Sequence, residues 1–208
     1  MPDGHTLWLF VVASIALALT PGPDVIYIVT RTAGEGRTAG LIAALGVGAG
    51  IVVHTVAAAC GLSGFLFAIP GAYDAIKFIG AAYLIYLGVH VLLVHSAGPL
   101  QWFQPGASRN AFWQGVLTNI LNPKVSLFFL AFLPQFVDPS AGNFAMQFFF
   151  WGLLFNLIGT TINLAIALGA SQISIRLSRK SKATALMRTV EGGIFIALGA
   201  FFALDECK

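Results

Sequence analysis

From Gly4 to Pro23 the chain carries no Asp, Glu, Lys or Arg, yet this apolar run is cut by Thr20-Pro21-Gly22-Pro23-Asp24. Two prolines around a glycine cannot continue a helix, because each proline lacks an N–H and clashes with the preceding turn. About a hundred residues on, Asn122-Pro123-Lys124 interrupts a second apolar run in the same way. Non-helical backbone at membrane depth is tolerated only where it is buried in protein or lines a cavity. Two interruptions, one in each half of a chain, are the pattern of a transport site built from discontinuous helices.

The membrane reading follows from charge. Only 9% of the 208 residues are charged and 58% are hydrophobic, against about 25% charged in an ordinary soluble domain. None of the four charged types occurs between Arg37 and Asp74, Lys77 and Arg109, or Asp138 and Arg176. Each run exceeds the roughly 20 apolar residues that cross a bilayer core. The lipid bilayer is therefore the expected surrounding. The net charge of +3 is no nucleic-acid signal, since most of the basic excess sits in one short loop. Two cysteines, Cys60 and Cys207, exclude a disulfide framework or a CxxC pair. The first apolar stretch lacks the basic flank of a signal peptide and reads as a retained span.

Six spans are predicted, and the fold class is an all-α membrane protein. They run Leu7–Val29, Gly40–Ile69, Ala75–Val94, Ala111–Leu133, Phe144–Ile175 and Leu186–Leu204, with the first and fourth broken at their proline motifs. The connections after spans one, three and five hold eight Lys or Arg (Arg31, Arg37, Arg109, Arg176, Arg179, Lys180, Lys182, Arg188), against Lys77 and Lys208 on the other side. Positive charge marks the cytoplasmic side, so both termini are expected outside. Tyr83–Gly88 resembles Ile194–Gly199 at an offset of 111, and the proline breaks align at an offset of about 100. Three spans per half, an odd number, make the halves inverted repeats within a single domain, 1–208. Repeat one covers about 1–95, a connector about 96–110, and repeat two about 111–208. In span two, Gly46 and Gly50 lie one turn apart, as do Ala57 and Gly61, and should let neighbouring helices approach closely.

The breaks carry the candidate chemistry. Thr20 is placed as an N-cap with Pro21 as the first residue of the following half-helix, and Asn122 and Pro123 repeat that order. Gly22 and Pro23 complete the first break. A half-helix begun inside the membrane offers unpaired N–H groups and a positive dipole end, a site for a carboxylate. Asp24 and Lys124 each sit just past a break. A mid-membrane charge costs a few kcal/mol, so each needs a partner. Either they pair with each other, or Asp24 receives a substrate ammonium or a coupling proton while Lys124 balances it. His54 is a hydrogen-bonded core residue or a proton relay. Asn119 shares a helix face with Asn122, whereas Asn156 and Asn163 read as bundle glue. No cluster with metal-ligand spacing and no nucleophile–base pair or cofactor motif occurs, so neither a metal nor an enzyme is expected.

Thr20-Pro21-Gly22-Pro23-Asp24, together with Leu117-Thr118-Asn119-Ile120-Leu121-Asn122-Pro123-Lys124 leading to Phe129 and Pro134-Gln135-Phe136-Val137-Asp138, resembles the signatures of the lysine-exporter (LysE/RhtB) family. Length, six spans and the Tyr-Leu-Gly pattern of span three extend the resemblance over nearly the whole chain. It implies a bacterial inner-membrane permease that exports amino acids or close derivatives, driven by the proton gradient. The implied positions are Pro21, Gly22, Pro23, Asp24, Asn119, Asn122, Pro123 and Lys124. The alternatives are export of another small solute or a metal cation, and a scaffold whose breaks only shape packing. Self-association, as a homo-oligomer, is left open by the sequence.

Overall fold

The computed structural model describes residues 3–20, 22–62 and 110–170 without interruption, plus scattered helical positions at 64–93 and 189–204. All regular structure among them is helical: α1 (Gly4–Leu19), α2 (Pro23–Glu35), α3 (Arg37–Ala57), α4 (Ala111–Ile120), α5 (Pro123–Leu127) and α6 (Phe144–Ala170). Two helical units, Arg37–Leu62 and Phe144–Ala170, are long and apolar enough to cross a membrane alone. The pairs α1 with α2 and α4 with the helix from Pro123 to Phe136 qualify as bent spans, with bends of 52° and 48°. The protein is thus an all-α membrane protein with up to four spans among the described residues. Most of the predicted third and sixth spans lies outside them. Of those two, Gly199 faces Ala81 and Ile85 so closely that an added Cβ would stand 2.7 Å from the Ala81 carbonyl oxygen.

Both bends fall where prolines remove helical donors. α1 stops at Leu19 and α2 starts at Pro23, while α4 stops at Ile120 and α5 starts at Pro123. Beyond α5 the chain widens into a π-turn at Phe128–Phe132 and tightens into a 3₁₀ turn at Leu133–Phe136. Asp138 then caps a short 3₁₀ turn, Pro139–Ala141. The Ser140 hydroxyl, donating to it at 2.6 Å, holds the Asp138 carboxyl below its ordinary pKa.

Two expected boundaries move. The loop expected after Val29 is one residue, Gly36, because α2 runs on to Glu35 and α3 begins at Arg37. Gly36 has φ 90°, a left-handed backbone that glycine adopts without steric cost. Arg31, counted among the loop cations, is therefore a helical residue. It is buried, pairs with Glu35, bonds Gln114 of α4, and lies over the Tyr27 ring at 5.5 Å.

α3 is the hub, packing on α2, α4 and α6. Its Gly46 meets α4 so tightly that a Cβ there would sit 2.1 Å from the Phe112 carbonyl oxygen, and one at Gly115 would sit 2.5 Å from that of Ala43. A Cβ on Gly50 would fall 2.7 Å from Cβ of Asn119. The expected close approach is thus present at Gly46 and Gly50. It is absent at Gly61, which is exposed with no described atom within 4 Å. Replacing Gly46 with Ala must push α3 and α4 apart, and overpacking of this kind costs about 1–3 kcal/mol. A lowered melting temperature in detergent is expected for Gly46→Ala, and none for Gly61→Ala. Equal melting of the two variants would refute this account of the interface.

On the α1 side, Phe10, Phe128, Phe132, Phe136 and Trp151 form a sealed aromatic cluster, with Phe10 and Trp151 rings 4.6 Å apart.

Candidate functional site

The two breaks adjoin, and each supplies what the other lacks. In an unbroken helix the Leu17 carbonyl would accept from residue 21 and the Asn119 carbonyl from residue 123. Both are prolines without an N–H. The Lys124 ammonium reaches across to the Leu17 and Thr20 carbonyls at 2.8 and 2.9 Å. The Asn119 carbonyl receives the His54 Nε2 at 3.2 Å, where the ring must carry its proton because a carbonyl only accepts. Ring stacking on Phe129, at 5.5 Å, fixes the imidazole plane.

Asp24 occupies the first turn of α2, where the helix dipole favours an anion. Its side chain is buried, and Oδ2 accepts from Asn119 Nδ2 and Asn122 Nδ2, each at 2.9 Å. Asp24 Oδ1 and Asn119 Oδ1 are both buried without a hydrogen-bond partner. An unpaired buried acceptor costs about 1–3 kcal/mol, so both oxygens favour a donor placed beside them. They line a cavity of about 30 Å³ with Gly22, Lys124 and Asn163. Its remaining wall is largely apolar, including Leu17, Val25, Ile51, Phe155 and Gly159. That volume holds about two waters and no amino acid.

Several expected roles change. Thr20 is not the N-cap of the second half-helix. It ends α1, with its hydroxyl donating to the Ala16 carbonyl at 2.9 Å. Gly22 is the cap of α2 and Pro23 its first residue, because the side-chain-free cap lies beside Lys124, whose Nζ would be 3.4 Å from an added Cβ. Pro21 lies outside the described residues.

At the second break Asn122 does cap, its Oδ1 accepting from the Lys124 N–H at 3.0 Å, with the exposed Pro123 behind it. The N–H groups of Val125 and Ser126 go to the Asn122 carbonyl at 3.1 and 3.0 Å. No amide of that turn is left for an anion, so the carboxylate site expected at the start of α5 is not there. The first turn of α2 differs, since its Gly22 cap makes no side-chain hydrogen bond.

Among the ten candidates, Gly22, Asp24, Asn119 and Lys124 line the cavity, while Asn122 and His54 brace those that do. Asn163, expected only to hold the bundle together, lines it too. Phe155 and Gly159 of the same helix were not singled out, for nothing in a long apolar run marks which face meets a cavity. The spacing of Phe155, Gly159 and Asn163, one turn apart each, was the available signal.

A profile of the family described as LysE type translocator matches residues 15–206. The chain is 24% identical over 198 residues to the leucine efflux protein of Salmonella typhimurium, covering 94% of this chain and 93% of that one. It is 27% identical over 202 residues to an uncharacterized membrane protein of Pseudomonas aeruginosa, covering 94% of each. To the membrane protein YrhP of Bacillus subtilis it is 33% identical over 153 residues, covering 69% of this chain and 72% of that one. No solved structure matches.

Proposed function

The chain belongs to the LysE type translocator family, and from that premise we propose that it exports amino acids across the bacterial inner membrane, coupled to the proton gradient. The observation that carries the reading is the pair of unpartnered buried acceptors, Asp24 Oδ1 and Asn119 Oδ1, facing the same cavity as the Lys124 ammonium. A zwitterion matches that arrangement of charge once the cavity, which at about 30 Å³ admits only water, widens during the cycle. Its ammonium takes the two oxygens, and its carboxylate lies toward Lys124 and the first turn of α2. Export by the leucine efflux relative favours the same class of cargo.

Proton coupling belongs to the same carboxylate. In the empty site a proton on Asp24 Oδ1 supplies the missing donor, and the substrate ammonium displaces it. Ammonium and proton then occupy Asp24 alternately, which is the minimum an antiporter requires. His54 holds the end of α4 and thereby positions Asn119.

Different chemistry flanks the cavity on its two sides. Phe10, two turns before Leu17, belongs to the aromatic seal. In the other direction, two turns past Asp24, Arg31 bonds Gln114 and the Tyr27 hydroxyl donates to the Ala111 carbonyl at 2.7 Å, fastening α2 to α4. Polar seals can be exchanged for water, so this one is the cytoplasmic gate. The two inverted three-helix repeats, about 1–95 and 111–208 around their connector, with both termini outside, supply the rocking halves. Reporter fusions at each end check that orientation.

Vesicles loaded with labelled amino acids should release them when a pH gradient is imposed, and a protonophore should stop the release. Release that persists with the gradient collapsed rules out proton coupling. No release of any amino acid removes amino-acid export and leaves another small solute, a metal cation or a membrane scaffold.

A further inference from the structure

We infer that Gly159 is the floor of a side-chain pocket that selects neutral, aliphatic amino acids and limits their size. The inference rests on the export reading above and names the cargo class of that same site. Both charges at the cavity, Asp24 and Lys124, are engaged by the ammonium and carboxylate common to every amino acid. Around them the wall is Leu17, Val25, Ile51, Val125 and Phe155, with no further charged group among the cavity-lining residues. A lysine or glutamate side chain would enter this wall without a partner, at a cost of several kcal/mol for a buried charge.

Gly159 stands out against the other described buried glycines inside helices. At Gly46, Gly48, Gly50, Gly115 and Gly152 an added Cβ would meet atoms at 2.1, 2.6, 2.7, 2.5 and 2.5 Å, so helix packing demands glycine there. At Gly159 the same Cβ meets only the Ile51 Cδ1 among described atoms, at 3.6 Å, which is ordinary contact. Glycine inside a helix is disfavoured relative to alanine, and no close packing among the described atoms offsets it here. Gly159 is nonetheless buried in the middle of α6 and lines the cavity. The missing methyl keeps room on the ligand's side of the helix rather than between helices.

The test is purified transporter in vesicles, with labelled alanine, leucine, lysine and glutamate, for the wild type, Gly159→Ala and Gly159→Leu. The wild type should export leucine and alanine, with lysine and glutamate at least about tenfold slower. One methylene in an apolar pocket is worth about 10- to 200-fold in discrimination. Gly159→Ala should therefore raise the KM for leucine roughly tenfold, raise that for alanine less, so that the leucine-to-alanine ratio falls, and melt no lower than the wild type. Gly159→Leu should lose leucine export. An unchanged leucine-to-alanine ratio in Gly159→Ala overturns the size limit. Lysine or glutamate exported in preference to leucine overturns the cargo class while the export reading stands. A wild type that moves no amino acid removes the export reading and this one with it.

Discussion

Asp24→Asn should export at roughly one hundredth of the wild-type rate while folding and inserting normally. The amide keeps what the carboxylate does for the fold, since its oxygen can still accept from Asn119 and Asn122, now both at 2.9 Å from Oδ2. What changes is the other position. Asp24 Oδ1, the buried acceptor without a partner, becomes an N–H₂ group that presents donors to an ammonium. A hydrogen bond to a charged group contributes about 1.5–3 kcal/mol, or about 10- to 150-fold. The upper figure applies, because an attractive contact is replaced by a repulsive one. Stability should hold or rise, since a buried carboxylate no longer has to be desolvated. The measurement is pH-driven flux in vesicles beside the melting temperature of the same preparation. Wild-type flux from Asp24→Asn would remove Asp24 from the transport cycle.

Lys124→Met is expected to act on stability and transport together. The Lys124 Nζ serves the Leu17 and Thr20 carbonyls, whose helix ends where the prolines begin. Methionine fills much of the same space and donates nothing. The Leu17 carbonyl keeps the Thr20 N–H at 3.2 Å but the Thr20 carbonyl loses its donor, at about 1–3 kcal/mol for a group left unsatisfied, so a loss of roughly 1–3 kcal/mol is expected. Transport should fall as well, through loss of the cation that faces the substrate carboxylate. Combining Lys124→Met with Asp24→Asn separates the two effects. The double variant carries no uncompensated anion and should regain part of the stability, yet it should not export. If Lys124→Met melts like the wild type, the bridge from α5 to the end of α1 contributes nothing, and the two breaks are joined by Asp24 alone.

Arg31, proposed above as part of the gate, is a residue that the sequence places in a loop. Arg31 was counted as a loop cation because it follows the last apolar residue of the first span. Its burial against Tyr27, Glu35 and Gln114 depends on α2 continuing past that point and on α4 lying alongside. A charge count along the chain has no access to such a partner, which lies 83 positions away.

The membrane class, the two interruptions and the charges beside them were legible in the residues themselves. Prolines forbid specific hydrogen bonds, and runs without charge forbid water, wherever the chain ends up. That the carbonyls of Leu17 and Asn119 lose their α-helical donors, and keep only the Thr20 and Asn122 N–H groups from their own helices, follows from proline chemistry. Which groups answer them does not. That Lys124 turns to the first break, that His54 serves the second, and that Asp24 bonds to two asparagines were decided by which helices meet: α5 against the end of α1, α3 against α4, and α2 against α4. The failed anion site at α5 belongs to the same class, because a cap satisfied by its own Asn122 and one left open at Gly22 differ only in local geometry. Gly159 is the sharpest case. A glycine needed for packing and a glycine that leaves room for a ligand are the same letter, and only the distance from its missing Cβ to the nearest neighbour tells them apart.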